Sequence, residues 1–215
     1  MRRIVPRSAT WVVAILAFLM LSLTASADGP NWVLLDDTDG IRVWSLEIPG
    51  KEWPGFRGIT TIDAPIDEIV DEVIDVEHHA EWAYGVRESR VVKRIDDTRQ
   101  IVYKRFERAG KAVARDLLMD VDYRYTPQRT AATVRFRTTD AVKVRLPRKT
   151  IRIPKLDGFY RMWQEQPGRT NVLYQVELDI GGDVPAEPAR FFARKYSHDT
   201  LENLRARIMS KRKRS

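Results

Sequence analysis

Hydrophobic and polar positions change period along this chain, and each change marks an element. "NWVLLDD" and "IRVWSLE" flank "TDG", which predicts a hairpin closed by an Asp-Gly turn. "GFRGITTID" predicts a third strand, ended by Asp63 and Pro65. The period then lengthens: Ile66, Ile69, Val70, Val73 and Ile74 share one face of a helix opened by Asp63 or Ala64, with Asp67, Glu68, Asp71 and Glu72 outside. "VEHHAEWAY" predicts a second short helical piece, and four strand-like runs follow at 89–95, 100–107, 115–125 and 131–139. Past a basic region, "GFYRMWQEQ" and "TNVLYQVELDI" predict two last strands around the turn "PGRT". A long terminal helix is predicted after Gly181, Gly182 and Pro185. On it Phe192, Tyr196, Thr200, Leu204 and Ile208 recur at four-residue spacing, with Ala189 and Ala193 beside them. The order is α+β, ending in a run of antiparallel strands and a helix. A curved antiparallel sheet must cover its apolar face, and a helix laid across it tends to leave a cavity.

The run 113–125, "VARDLLMDVDYRY", is the clearest alternation. One face carries Arg115, Leu117, Met119, Val121 and Tyr123; the other carries Asp116, Leu118, Asp120, Asp122 and Arg124. Turning the apolar row inward takes a guanidinium with it, and a buried arginine is costly unless paired. The same logic assigns Tyr103, Leu117, Met119, Val121, Val134, Phe136, Tyr174 and Val176 to the sheet wall of a cavity. The helix wall would hold Phe192, Tyr196 and Thr200.

The N-terminus changes the domain boundaries. Arg2, Arg3 and Arg7 precede an apolar run from Trp11 to Leu23, and Ala25-Ser26-Ala27 supplies the small residues of a cleavage site. We expect a signal peptide over 1–27, cleavage after Ala27, a periplasmic or secreted location, and one mature domain over 28–215. An uncleaved membrane anchor is the alternative reading. Losing the three arginines takes the formal charge from +7 to +4. The chain has no cysteine, hence neither disulfide nor lipoprotein box.

Candidate chemistry is thin. His78 and His79 are adjacent, so on a helix they point about 100° apart and cannot share one metal. With Glu77 and Glu81 nearby they read as a solvated helix end, and His198 as a surface or helix-packing residue. There is no P-loop and no G-x-S-x-G elbow. No metal, cofactor or catalysis is expected. In the basic region 141–158, Lys143, Arg145, Arg148, Lys149, Arg152 and Lys155 interleave with Val142, Val144, Leu146, Ile151 and Ile153. The alternation predicts an antiparallel hairpin with a polar outer face, and transient contact with an anionic membrane is a second possible role. No segment resembles a nucleic-acid motif, and a monomer is expected.

Six pieces, in order over about 180 residues, resemble the START (StAR-related lipid-transfer) family of the helix-grip fold. They are "DTDGIRVWS", "IDAPIDEIVDEVIDVEHHAEW", "VRESRVV", "VARDLLM", "IRIPKLDGFYRMWQEQ" and "GGDVPAEPARFFARKYSHDTLENLR". The chain is identified as an exported bacterial member. The resemblance implies a curved antiparallel sheet wrapped around a long C-terminal helix, with a tunnel between them for one lipid-like molecule such as a sterol, hopanoid or phospholipid. It also implies a charged pair inside the tunnel, Glu88 with Arg115, near a ligand hydroxyl or serving structure alone. The segment before the first strand is too short for the long first helix of animal members, which weakens the transfer of their sterol specificity to this chain. The same fold hosts polyketide cyclases and aromatases, so an enzyme remains an alternative to a carrier, as does a sensing or membrane-interaction module.

Overall fold

The computed structural model describes residues 31–50, 53–107, 113–182 and 186–214; within the terminal helix it describes the side chains of 191 and 194–212. The expected signal peptide lies outside the described residues. Strands β1 (Trp32–Thr38), β2 (Ile41–Leu46) and β3 (Gly55–Ile62) lead into α1 (Ile66–Ile74) and a 3-10 helix, Val76–Glu81. Then come β4 (Val86–Asp96), β5 (Arg99–Phe106), β6 (Ala114–Tyr125), β7 (Ala131–Thr138), β8 (Thr150–Arg152), β9 (Lys155–Gln166) and β10 (Arg169–Asp179). The chain closes with α2, Ala186–Arg212. The strand order is β1-β2-β3-β10-β9-β7-β6-β5-β4, with every pair along this path antiparallel. The predicted curved sheet with a C-terminal helix is the fold observed.

α2 presents a period-3.6 stripe to the sheet. Ser197, Thr200, Leu201, Leu204 and Ile208 are all buried. Leu201 docks on Gly58 of β3, where a Cβ would stand 2.7 Å from Leu201 Cδ1. That glycine is what lets the helix come so close. A second close approach occurs at Gly158 of β9, where a Cβ would meet the Phe136 ring and the Gln175 carbonyl oxygen, both at 2.5 Å. Ile69, Val70 and Val73 bury the inner face of α1. The outer face is tied down by charge: buried Glu72 accepts hydrogen bonds from Arg207 and Lys211, and Arg207 also reaches Glu81 at 2.7 Å.

The basic region does not form the predicted hairpin. Residues 139–149 contain no strand, and β8 pairs in parallel with β6, Arg115 opposite Ile151. The alternation has another cause. Val142 and Val144 pack on Ile101, Tyr103 and Leu118, a small cluster on the outer face of β5 and β6, while Lys143 and Arg145 are exposed. An extended strap over an apolar patch alternates as a strand does, without needing a strand partner. Arg152 is drawn inward by Asp116, which is wholly buried and bound through both oxygens at 2.6 and 3.0 Å.

Candidate functional site

Between the concave face of the sheet and α2 lies a cavity of about 260 Å³. Its wall is built by the period-2 rule. β6 contributes Arg115, Leu117, Met119 and Val121; β7 contributes Val134 and Phe136. β9 adds Leu156 and Tyr160, and β10 adds Tyr174, Val176 and Leu178. Tyr196 and Ser197 close it from α2, with Val73 and Val76 at the α1 end. Phe136, Tyr160 and Tyr174 stack against one another with centroids 4.9–5.9 Å apart, and Tyr174 meets Tyr196 at 6.3 Å. Burial pushes the Tyr160 and Tyr174 phenols well above their ordinary range and Tyr196 up to about 12, so all three stay neutral.

Nine of the expected residues line this space: Arg115, Leu117, Met119, Val121, Val134, Phe136, Tyr174, Val176 and Tyr196. Phe192 has a side chain outside the described residues. Tyr103 and Thr200 do not reach the cavity. Tyr103 sits in the outer cluster under the strap, because β5 turns Ile101 and Tyr103 outward and Val102, Lys104 and Phe106 the other way. Thr200 is buried in α2 among the helix–sheet contacts.

The Glu88–Arg115 pair is not formed. Glu88 belongs to β4, one strand removed from β6, and its register runs through Arg105 to Asp116, the row facing away from the cavity. Its partner is Arg90, at 3.3 Å on the surface. Arg115 is instead satisfied by backbone. Its Nε donates to the Ile180 carbonyl, Nη2 to that of Gly181 and Nη1 to that of Val113, each at 3.0 Å. The arginine in the apolar row thus clamps the end of β10 to the start of β6, and its charge meets carbonyl dipoles rather than a carboxylate.

Two buried basic residues not foreseen as cavity-lining face the interior. Lys104 of β5 is 8 % exposed and His79 of the 3-10 helix 4 %. His79 Nε2 lies 3.0 Å from the Val73 carbonyl oxygen, so it carries the proton and donates. Nδ1 is left to accept from Lys104 Nζ at 2.6 Å. Burial pushes the Lys104 amine down to about 7, and burial followed by the Lys104 charge holds the His79 imidazole well below its usual value. The expectation of a solvated histidine pair holds for His78, half exposed and 2.7 Å from Asp75, but not for His79. Adjacent residues on a tight helix must point to different sides, and here one of them points to the core.

The comparisons with known proteins bear on this geometry. The START-domain family model matches residues 17–214. The chain belongs to the START-domain family. An uncharacterized protein of Pseudomonas aeruginosa is 26% identical over 196 residues, covering 90% of this chain and 95% of that one. A STAR-related lipid transfer protein from Xanthomonas axonopodis is 26% identical with a TM-score of 0.75, over 83% of this chain and 98% of that one. Human StAR-related lipid transfer protein 5 shares the fold at 15% identity and a TM-score of 0.78, over 87% and 90% of the two chains. The cavity between sheet and helix in this START domain suits a hydrophobic ligand.

Proposed function

We propose that this START domain binds and carries a hydrophobic, lipid-like molecule in the cavity and performs no chemistry on it. The observation that carries this reading is the continuous apolar wall from β6 to β10, closed by α2 over empty space rather than over packed side chains. At about 260 Å³ the cavity lies just below the range of small-molecule sites, roughly 300–1,000 Å³, so as it stands it suits one slender tail. Exchange would occur at a membrane. Exposed Lys143, Arg145, Arg148 and Lys149 supply the charge for an anionic surface, and half-exposed Val113 and Leu146 supply apolar contact. The N-terminal pattern of residues 1–27 supports export, with cleavage after Ala27 and action in the periplasm or outside the cell.

Met119→Trp tests the cavity. Met119 is buried in the wall, and in a filled core the larger ring would cost about 1–3 kcal/mol. Here the ring has empty space to enter. The expected result is loss of binding of an environment-sensitive apolar probe with little change in melting temperature. A large loss of stability, with no probe bound by either protein, would reject the reading.

A further inference from the structure

The charged groups that line the cavity are unbalanced. Among the described residues Lys104, Arg115 and His79 are basic by type, and the one acid, Glu107, is exposed just past the end of β5. Lys104 gives one hydrogen bond, to His79, and meets no carboxylate among the described residues. An ammonium carries three donors, so two more are left without an acceptor among the described residues, at the wall of a largely apolar chamber. His79 cannot rotate to relieve this, because the Val73 carbonyl fixes its proton on Nε2. Ser197, also wholly buried on the wall, has a hydroxyl oxygen with no hydrogen-bond partner. Arg115 lies on the same inward row, diagonal to Lys104 across the β5–β6 pairing of Lys104 with Leu117. Three of its five N–H groups are taken by carbonyls, and two remain.

A buried cation without a counter-charge is costly, and proteins seldom keep one that meets nothing. We propose that the ligand is an acidic amphiphile, whose carboxylate head is received by Lys104, oriented by His79, while its single apolar tail lies toward the aromatic cluster of β9 and β10. The sheet order supports this layout, because β5 and β6 form one side of the chamber and Tyr160 and Tyr174 the other. The inference deepens the carrier reading and rests on it. It assigns Lys104 as the residue that reads the head group and His79 as its positioning residue.

The test compares palmitic acid with its methyl ester on delipidated protein by titration calorimetry at pH 8. Tail and length are equal, so the difference isolates the head. The acid should bind about tenfold or more tightly than the ester, as one charge-assisted hydrogen bond provides. Binding of the acid should also take up as much as about one proton, read from buffers of differing ionisation enthalpy, because the carboxylate restores the charge of an amine displaced to about 7. The other groups facing the chamber do not supply that proton uptake. Arg115 stays charged, the phenols of Tyr160, Tyr174 and Tyr196 stay neutral, burial and then the Lys104 charge hold the His79 imidazole well below its usual value, and Glu107 is exposed past the end of β5. In Lys104→Met the preference for the acid and the proton uptake should vanish while the ester still binds.

Equal binding of acid and ester by the wild-type protein would overturn the inference and leave the carrier reading standing. A preference that survived Lys104→Met would overturn the role of Lys104. Binding of neither probe would reject the carrier reading, and this inference with it. Should Lys104→Met fail to fold, the wild-type comparison and its proton count decide alone.

Discussion

Replacing Lys104 by Met should make the empty protein more stable, and the gain should depend on pH. The amine is pushed from its ordinary 10.5 down to about 7 by burial, a displacement of about 3.5 units. At 1.36 kcal/mol per unit this is roughly 5 kcal/mol of differential cost, an upper figure because it assumes the full shift. The unfolded chain binds a proton at this site up to about pH 10.5, whereas the folded chain releases it near 7. Between those values the unfolded state holds more protons, so this site's penalty is full below pH 7 and fades as pH rises toward 10.5. Met removes the penalty but leaves His79 Nδ1 without its donor, a loss of about 1–3 kcal/mol. The variant should therefore exceed wild type by roughly 2–4 kcal/mol at pH 7. Its advantage should shrink by about 2 kcal/mol by pH 9. Urea titration of delipidated protein, followed by tryptophan fluorescence, measures both values provided the slope is unchanged. A variant less stable than wild type at pH 7, or an advantage that does not move with pH, would mean that Lys104 carries no burial penalty.

Other predictions concern the charges that are paired. Arg152→Met strands the wholly buried Asp116 carboxylate and should cost about 3 kcal/mol or more in chemical denaturation, with much of it recovered when Asp116 is also changed to Leu. Glu88→Gln should change stability by no more than about 0.5 kcal/mol and leave probe binding intact, since among the described residues Glu88 pairs with Arg90 at the surface; a loss of several kcal/mol would restore the buried pair with Arg115.

What was legible in the sequence follows from where the period was clean. On β6 the inward row alternates with charge, so Leu117, Met119 and Val121 could be placed on the cavity wall. On β5 the apolar residues Ile101, Val102 and Tyr103 run together, and both faces of the strand are covered, one by the cavity and one by the strap at Val142 and Val144. Periodicity cannot orient such a run, and the inward face turned out to carry the lysine. The strap itself misled for the same reason, since its alternation reflects packing on a patch and not pairing in a ladder. Arg115 was correctly sent inward, but its partners are carbonyls at the end of β10, more than sixty residues away, and backbone acceptors leave no mark in a sequence. The partner proposed by resemblance failed on sheet order, because Glu88 sits a strand too far out. His79 shows the same limit: its neighbour His78 has the same side chain, and only the packed helix decides which one is buried.

On the reading proposed for this START domain, the chamber holds an apolar guest. Native mass spectrometry of the protein purified gently from its own host tests that most directly. The predicted result is one non-covalent adduct of lipid-like mass per chain, released by organic solvent and absent from Met119→Trp. Protein that emerges at its bare mass, and after refolding takes up no apolar probe, would contradict it.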